Sequence, residues 1–550
     1  MRRLVIAAVA ALVVAACGSG KSALEAGNDD PPDAASAATT PAPTTEAATA
    51  AGADVGAAND VGGPDDAGAD TIAGDESADV TTTDDGGQTD GDPAPTQPPT
   101  TLPTPTTTIA PLADLPPCPV DALDGAGGPV TITFWHGLGN ELETALIQTI
   151  DDYNASQDRV VVDLHNQVTY ESIVDKYIQT GAGSRPAIVQ LPEYVVQSFA
   201  QSGTFVPVEA CIEASGYDTS AFLPRTLSAY TFEGVQWGLP FNVSNPVLYY
   251  NRVMFERAGL DPDDPPVTLE ELREVSQVLV DSGVAGTGIA LDSGRDSGGG
   301  WFFEQWFSRA GQPYADNGNG RVAPATQVLF DDELGVELLT FLQDMVADGL
   351  AVTVGDNAGG QDTFLRMIDQ ESPAAMTIST SAAISSVIAA LGSGIAPDLT
   401  PADVGVGPMP GPSPEPAAQV GGASLWIPDG QGDEVTAAAW DFLQYLVDAQ
   451  TQSNWTAATG YIPIRQDALE LDPIASRYDD DPRFEVAFTQ LLASADDPSA
   501  AVPAIGPQRE VRSVTADAIA AAYAGADVEQ ILADAAAAAN ALIDNYNARN

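Results

Sequence analysis

From Val130 onward, strand-like runs alternate with helix-like runs, and no other feature restricts the fold as much. "VTITFWHG" reads as a strand, "NELETALIQTIDDYNAS" as an amphipathic helix and "RVVVDLHN" as a second strand. "YESIVDKYIQTG" then reads as a helix and "PAIVQLPE" as a third strand. This spacing predicts βαβ units around a mostly parallel sheet. Ligands of such sheets bind beyond the strand carboxyl ends, where the loops into the next helices gather.

A second α/β region is expected after Asn251. In "TLEELREVSQVLVDSG", Thr268 and Glu271 form a capping box, while Leu269, Leu272, Val275 and Leu279 make one apolar stripe that Gly283 ends. "DDELGVELLTFLQDMVADG" repeats the pattern, "AAMTIST" and "GGASLWIP" read as short strands, and the C-terminal quarter reads as helical. Between the two regions, "LPFNVSNPVLYYN" (Leu239 to Asn251) begins as a loop and ends as a strand. "DNGNGR" (Asp316 to Arg321) is loosely like a calcium loop but lacks the closing glutamate, and reads as a turn.

The first 117 residues are different in kind. "MRRLVIAAVAALVVAAC" has two arginines and an apolar run too short to span a bilayer, the layout of a secretory signal over residues 1–16. Val14-Ala15-Ala16-Cys17 resembles a lipobox, which implies cleavage before Cys17 and its acylation; an ordinary signal cut nearby is the alternative. Residues 17–117 are dominated by Ala, Thr, Pro, Gly and Asp, with no aromatic residue, so they are expected to form a disordered acidic stalk. Of the other two cysteines, Cys118 and Cys211 are expected to pair in an exported protein. The net charge of −58 argues against nucleic acid as a partner and against direct docking on anionic lipid, leaving a lipid anchor as the expected membrane contact.

Nine motifs in order carry a resemblance: "TFWHG" with a following Glu, Tyr-Glu after the second strand, "AIVQLPE", "LPFNVSNPVLYYN", "AGLDPDDPPVTLEEL", "AAMTIST", "GGASLW", "TGYIPI" and "REVR". Together they resemble the extracellular solute-binding proteins of ABC importers, and within them the branch that binds glycerol-3-phosphate and glycerophosphodiesters. The resemblance implies an α/β periplasmic-binding-protein fold of two lobes with a ligand cleft between them and an ABC permease as partner. Hinge crossings are implied near Asn245, Pro373 and Leu425. That assigns residues 118–245 and 373–424 to the first lobe and 246–372 and 425–550 to the second. No cofactor, metal or covalent chemistry is implied, and the expected location is the cell envelope, at the outer face of the cytoplasmic membrane or in the periplasm.

Carried over position by position, the resemblance implies ligand contacts at Tyr170, Glu193, Ser244, Thr380, Gly422, Tyr461 and Arg512. Arg512 with the hydroxyls and the Gly422 amide suits a phosphate, and Glu193 with Tyr170 suits a glycerol end. Without the resemblance, Arg512 reads as a surface ion-pairing arginine and Glu193 as an acid at a helix start. His136, at the end of the first strand, is either a ligand contact or a loop hydrogen-bonding group. The branch's Trp-x-x-Trp wall is absent from "LDSGRDSGGGWFFEQW"; Trp301 is displaced from it, and Asp292 or Arg295 are candidates for the wall instead. A sugar or oligosaccharide receptor on the same fold is the alternative reading. An enzyme is not expected, since His136 and His165 are the only histidines and no G-x-S-x-G or H-E-x-x-H motif occurs.

Overall fold

The computed structural model describes residues 115–550 apart from residues 358 and 496. The signal, Cys17 and residues 17–114 of the expected stalk lie outside the described residues. Leu115, near the end of that stretch, already packs against the core.

Thirteen strands are described: β1 (Val130–His136), β2 (Val160–Asn166), β3 (Ile188–Pro192), β4 (Phe205–Val206), β5 (Thr231–Phe232), β6 (Val235–Gln236), β7 (Leu239–Ser244), β8 (Pro246–Asn251), β9 (Thr287–Leu291), β10 (Ala351–Thr353), β11 (Ala374–Thr380), β12 (Val404–Pro408) and β13 (Gly421–Pro428). The principal helices are α1 (Asn140–Ser156), α2 (Tyr170–Gln179), α3 (Leu269–Asp281), α4 (Trp301–Arg309), α5 (Glu333–Ala347), α6 (Asp433–Leu446), α7 (Gln508–Tyr523) and α8 (Val528–Asn547). The first sheet runs β2-β1-β3-β13-β4 with β7 also on β13, the second β10-β9-β11-β8-β12, and β5-β6 is a hairpin.

The βαβ expectation holds for β1-α1-β2-α2-β3, whose strands are parallel. Each sheet is nevertheless mixed, because β13 runs antiparallel to β3, β4 and β7, and β8 antiparallel to β11 and β12. The predicted capping box of α3 forms, with Thr268 accepting from the Glu271 amide and Glu271 accepting from the Thr268 amide. The turn at Asp316 also holds; its carboxylate accepts from the backbone and hydroxyl of Thr326.

Three expectations change. Leu239–Ser244, read as a loop, is strand β7, buried throughout. Its polar residues find partners within the protein: the Asn242 side chain bonds Gln190 and Tyr170. The lobe boundaries also move: β11 and β12, expected in the first lobe, lie in the second sheet. Residues expected in the second lobe, including Leu425, Trp426, Trp440 and Trp455, pack in the first core with β1 and β3. The second core takes the last part of the chain, from Ile505 through α7 and α8. A short apolar strand carries no mark of which sheet will accept it, and register decided here.

The crossing at Asn245 stands. There β7 of the first sheet passes to β8 of the second, and Asn245 is held by three groups. Its carbonyl accepts from the Ser381 amide at 2.9 Å, its side-chain oxygen accepts from Gln490 at 2.8 Å, and its side-chain nitrogen donates to the Ala487 carbonyl at 2.9 Å. β11 of the second sheet ends just before Ser381, so its carboxyl end lies beside this crossing.

Cys118 and Cys211 are bonded, closing a separation of 93 residues and tying the start of the described chain to the short helix Val208–Ser215. Replacing both with alanine is expected to lower unfolding free energy by about 4 kcal/mol through the freed unfolded chain. Urea titration of the oxidised protein and of the double variant checks this; coincident midpoints would show the bridge to be neutral.

Candidate functional site

The carboxyl ends of strands from both sheets face one cavity of about 740 Å³. From the first sheet come the turn Gly137–Gly139 after β1, Tyr170 after β2, Glu193 after β3 and Ser244 at the end of β7. From the second come the loop Asp292–Ser297 after β9 and Thr380 at the end of β11; Trp301 of α4 and Arg512 of α7 complete that side.

Seven residues marked in the sequence line this cavity: Tyr170, Glu193, Ser244, Thr380, Gly422, Tyr461 and Arg512, and Trp301 joins them. Gly422 has φ +90°, and a Cβ there would lie 2.1 Å from the Asn242 carbonyl, so the close passage of β13 over β7 excludes any other residue. Tyr461 stacks on Trp455 with ring centroids 5.7 Å apart. The Trp301 ring lies against Gly421, where a Cβ would meet it at 2.1 Å. Tyr249 and Tyr250 do not reach the cavity; their hydroxyls donate to the backbone of Thr380 and of Pro262.

His136 is a correction. It is fully buried behind the wall and absent from the lining, with its Nδ1 accepting from the Leu138 amide at 3.3 Å. Burial pushes its pKa down to about 4, so the ring is neutral. It is the loop hydrogen-bonding group, and it leaves the candidate set.

A buried chain of hydrogen bonds orders the first-lobe wall. The Gly137 amide donates to Gln190 at 2.9 Å, Gln190 donates to Asn242 at 2.8 Å, and Asn242 donates to the Tyr170 hydroxyl at 2.7 Å. Tyr170 in turn bonds Tyr461. Burial holds the Tyr170 phenol well above the ordinary tyrosine range, so it stays a neutral hydroxyl.

Arg512 is not a surface arginine. It is buried, and its Nε and Nη2 donate to the two oxygens of Glu304 at 2.7 Å each. Nη2 also lies 2.9 Å from Glu193 Oε1, and the guanidinium sits 5.1 Å from the centre of the Tyr194 ring. Glu304, from α4, had no signal in the sequence beyond its place on an aromatic helix. Glu171, within the Tyr-Glu motif, is another wall residue that sequence reasoning passed over. Asp292 lines the cavity, but its carboxylate is occupied by the amides of Gly294 and Gly298, by Ser297 and by Asn357. Arg295 reaches the wall and pairs with Glu171 at 2.6 Å. No cluster of metal-ligating side chains is found among the described residues.

Burial pushes the Glu193 carboxyl up to about 7, with Arg512 pulling the other way. The unfolded chain releases this proton in the ordinary glutamate range, so the folded state gains most below that range. The gain is lost as pH rises through 7. Between pH 5 and 8 the wild type is therefore expected to lose roughly 3 kcal/mol of stability relative to Glu193→Gln. Denaturant titrations at several pH values check the difference, and parallel profiles would refute it.

The chain matches the family of bacterial extracellular solute-binding proteins over residues 148–486, more than half its length. The sn-glycerol-3-phosphate-binding periplasmic protein UgpB of Yersinia pseudotuberculosis is 29% identical over 413 residues, covering 73% of this chain and 90% of that protein. UgpB of Pectobacterium atrosepticum is 27% identical over 434 residues, covering 77% and 93%. Among solved structures, UgpB from Mycobacterium tuberculosis in complex with glycerophosphocholine superposes with a TM-score of 0.64 at 21% identity, over 76% of this chain and 99% of that one. The GacH receptor of Streptomyces glaucescens, solved with acarbose, gives 0.63 at 20% identity over 76% and 99%. These likenesses agree with the two mixed sheets that meet at one cavity. The chain belongs to the bacterial extracellular solute-binding proteins that serve ABC importers, and it has their two-lobed α/β fold.

Proposed function

We propose that the protein captures glycerol phosphate esters by closing its lobes around them and delivers them to an ABC permease, working from the cell envelope on a lipid anchor at Cys17. Glycerol-3-phosphate and glycerophosphodiesters such as glycerophosphocholine are the ligands of this reading. The observation that carries it is the convergence of Tyr170, Glu193, Ser244, Thr380, Gly422, Tyr461 and Arg512 on one cavity. Relatives named for glycerol-3-phosphate binding, aligned over nine-tenths of their length, support it.

The charge on the wall refines the reading. Glu171, Glu193, Asp292, Asp296, Asp356 and Asp517 line the cavity against Arg295 and Arg512. Arg512 is already matched by Glu304 and Glu193. A doubly charged phosphate monoester meets net repulsion there, whereas a diester with a cationic head group carries no net charge. The zwitterionic diester is therefore the favoured ligand. The same observation gives a second reading, a sugar or oligosaccharide receptor, because carboxylates accept from hydroxyls and Trp301, Tyr170 and Tyr461 offer aromatic faces.

Calorimetry with glycerophosphocholine, glycerol-3-phosphate and maltose separates these readings. Glycerophosphocholine is expected to bind at one site, glycerol-3-phosphate about tenfold more weakly, and maltose without heat. Tight maltose binding with no heat from either phosphate ester would overturn the ligand while leaving the family intact. Ser244→Ala and Thr380→Val are expected to weaken diester binding about tenfold each, the loss of one hydrogen bond to a charged group. Arg512→Ala is not a clean probe. It leaves Glu193 and Glu304 buried without their partner, at a cost of about 3–5 kcal/mol in stability.

A further inference from the structure

Both lobes are rich in acid, and closing them brings like charge together. The described structure meets this at the cleft with three arginines from the second lobe that reach carboxylates of the first. Arg295, on the loop after β9, pairs with Glu171 Oε1 at 2.6 Å. Arg509, on α7, pairs with Glu171 Oε2 and, through Nη1, with Asp175 at 2.7 Å. Arg512 pairs with Glu193 at 2.9 Å. Glu171 is the centre of this set. Each of its oxygens takes a different arginine, and the Tyr194 hydroxyl donates to Oε1 at 2.9 Å, fixing the plane of the carboxylate.

The two sides of this contact are anchored in different cores. α2 buries Ile173, Val174 and Tyr177 in the first, and α7 buries Val511, Ile519 and Ala522 in the second. Glu171 and Arg509 are 338 residues apart, with no local chain connection holding them together. Such pairs form only when the lobes are apposed, so whatever free energy they contribute goes to the closed arrangement. They are also partly buried, with side-chain exposures of 26% for Glu171, 24% for Arg509 and 22% for Arg295, which keeps them from full solvent screening.

We propose that Glu171, with Arg509 and Asp175, is a closure clasp: a set of positioning residues that sets ligand affinity by populating the closed state. Arg509 and Asp175 are outside the cavity lining, so they act on affinity without touching ligand. The clasp rests on the family's closure around ligand and not on which ligand is bound.

The test uses the full chain carrying nitroxide labels at exposed Gln148 on the first lobe and Glu529 on the second. Pulsed dipolar spectroscopy then reads the distance between lobes with no ligand added. Arg509→Gln is expected to shift the distribution toward longer distances, and Asp175→Asn to do so less. The double variant should differ little from Arg509→Gln alone, as coupled partners require. Glycerophosphocholine affinity should fall about tenfold in Arg509→Gln, in proportion to the lost closed population. Arg509→Lys, which keeps the charge, should recover part of both effects, which a purely packing role would not allow. A wild-type distance distribution in Arg509→Gln, with affinity within twofold, would overturn the clasp. If glycerophosphocholine gives no heat even with the wild type, the ligand reading fails, and the distances still decide the clasp.

Discussion

Arg512 gives up its hydration on the wall of the cavity, and Glu304 and Glu193 keep it charged there by taking its donors from two directions. Much of the cleft follows from this arrangement. Glu304 belongs to α4 and Glu193 to the chain after β3, so one buried guanidinium ties a helix of the second lobe to a strand end of the first. Burying a charge without such partners is prohibitive, so the three side chains constrain one another's positions. The Tyr194 ring lies beneath the guanidinium, and Glu304 is buried on a helix whose aromatic residues are buried with it.

The rest of the cleft is built to present polar groups on rigid supports. Strand ends place Ser244 and Thr380, and the crossing at Asn245 sits beside them, held by Gln490, Ala487 and Ser381. The chain of bonds from Gly137 through Gln190 and Asn242 to Tyr170 transmits the register of β1, β3 and β7 directly to the wall. The arginines at the cleft set positive charge against first-lobe carboxylates in an otherwise acidic molecule.

Much of this was legible in the sequence. The βαβ order of the first lobe follows from hydrophobic periodicity, and the α3 capping box was visible as Thr268 and Glu271. The wall positions Tyr170, Ser244, Gly422 and Tyr461 came from the family resemblance that the ordered motifs carry, and all four line the cavity. Three things were not legible. β7 looked like a loop because Asn242 and Ser244 are polar, and only the partners around them make that polarity compatible with burial. β11 carries no sign of its sheet. Glu304 looks like any acid on a helix, because its meaning lies in an arginine 208 residues away.

The sequence by itself determined the amphipathic helices, the βαβ order of the first lobe, the family and the residue types at the cavity, since these depend on local periodicity and short motifs. Tertiary structure alone decided which sheet each short strand joined, which arginine was buried and which carboxylates met it. Those outcomes depend on pairing between distant segments, and the strength of an ion pair is set by the burial and distance that such pairing creates.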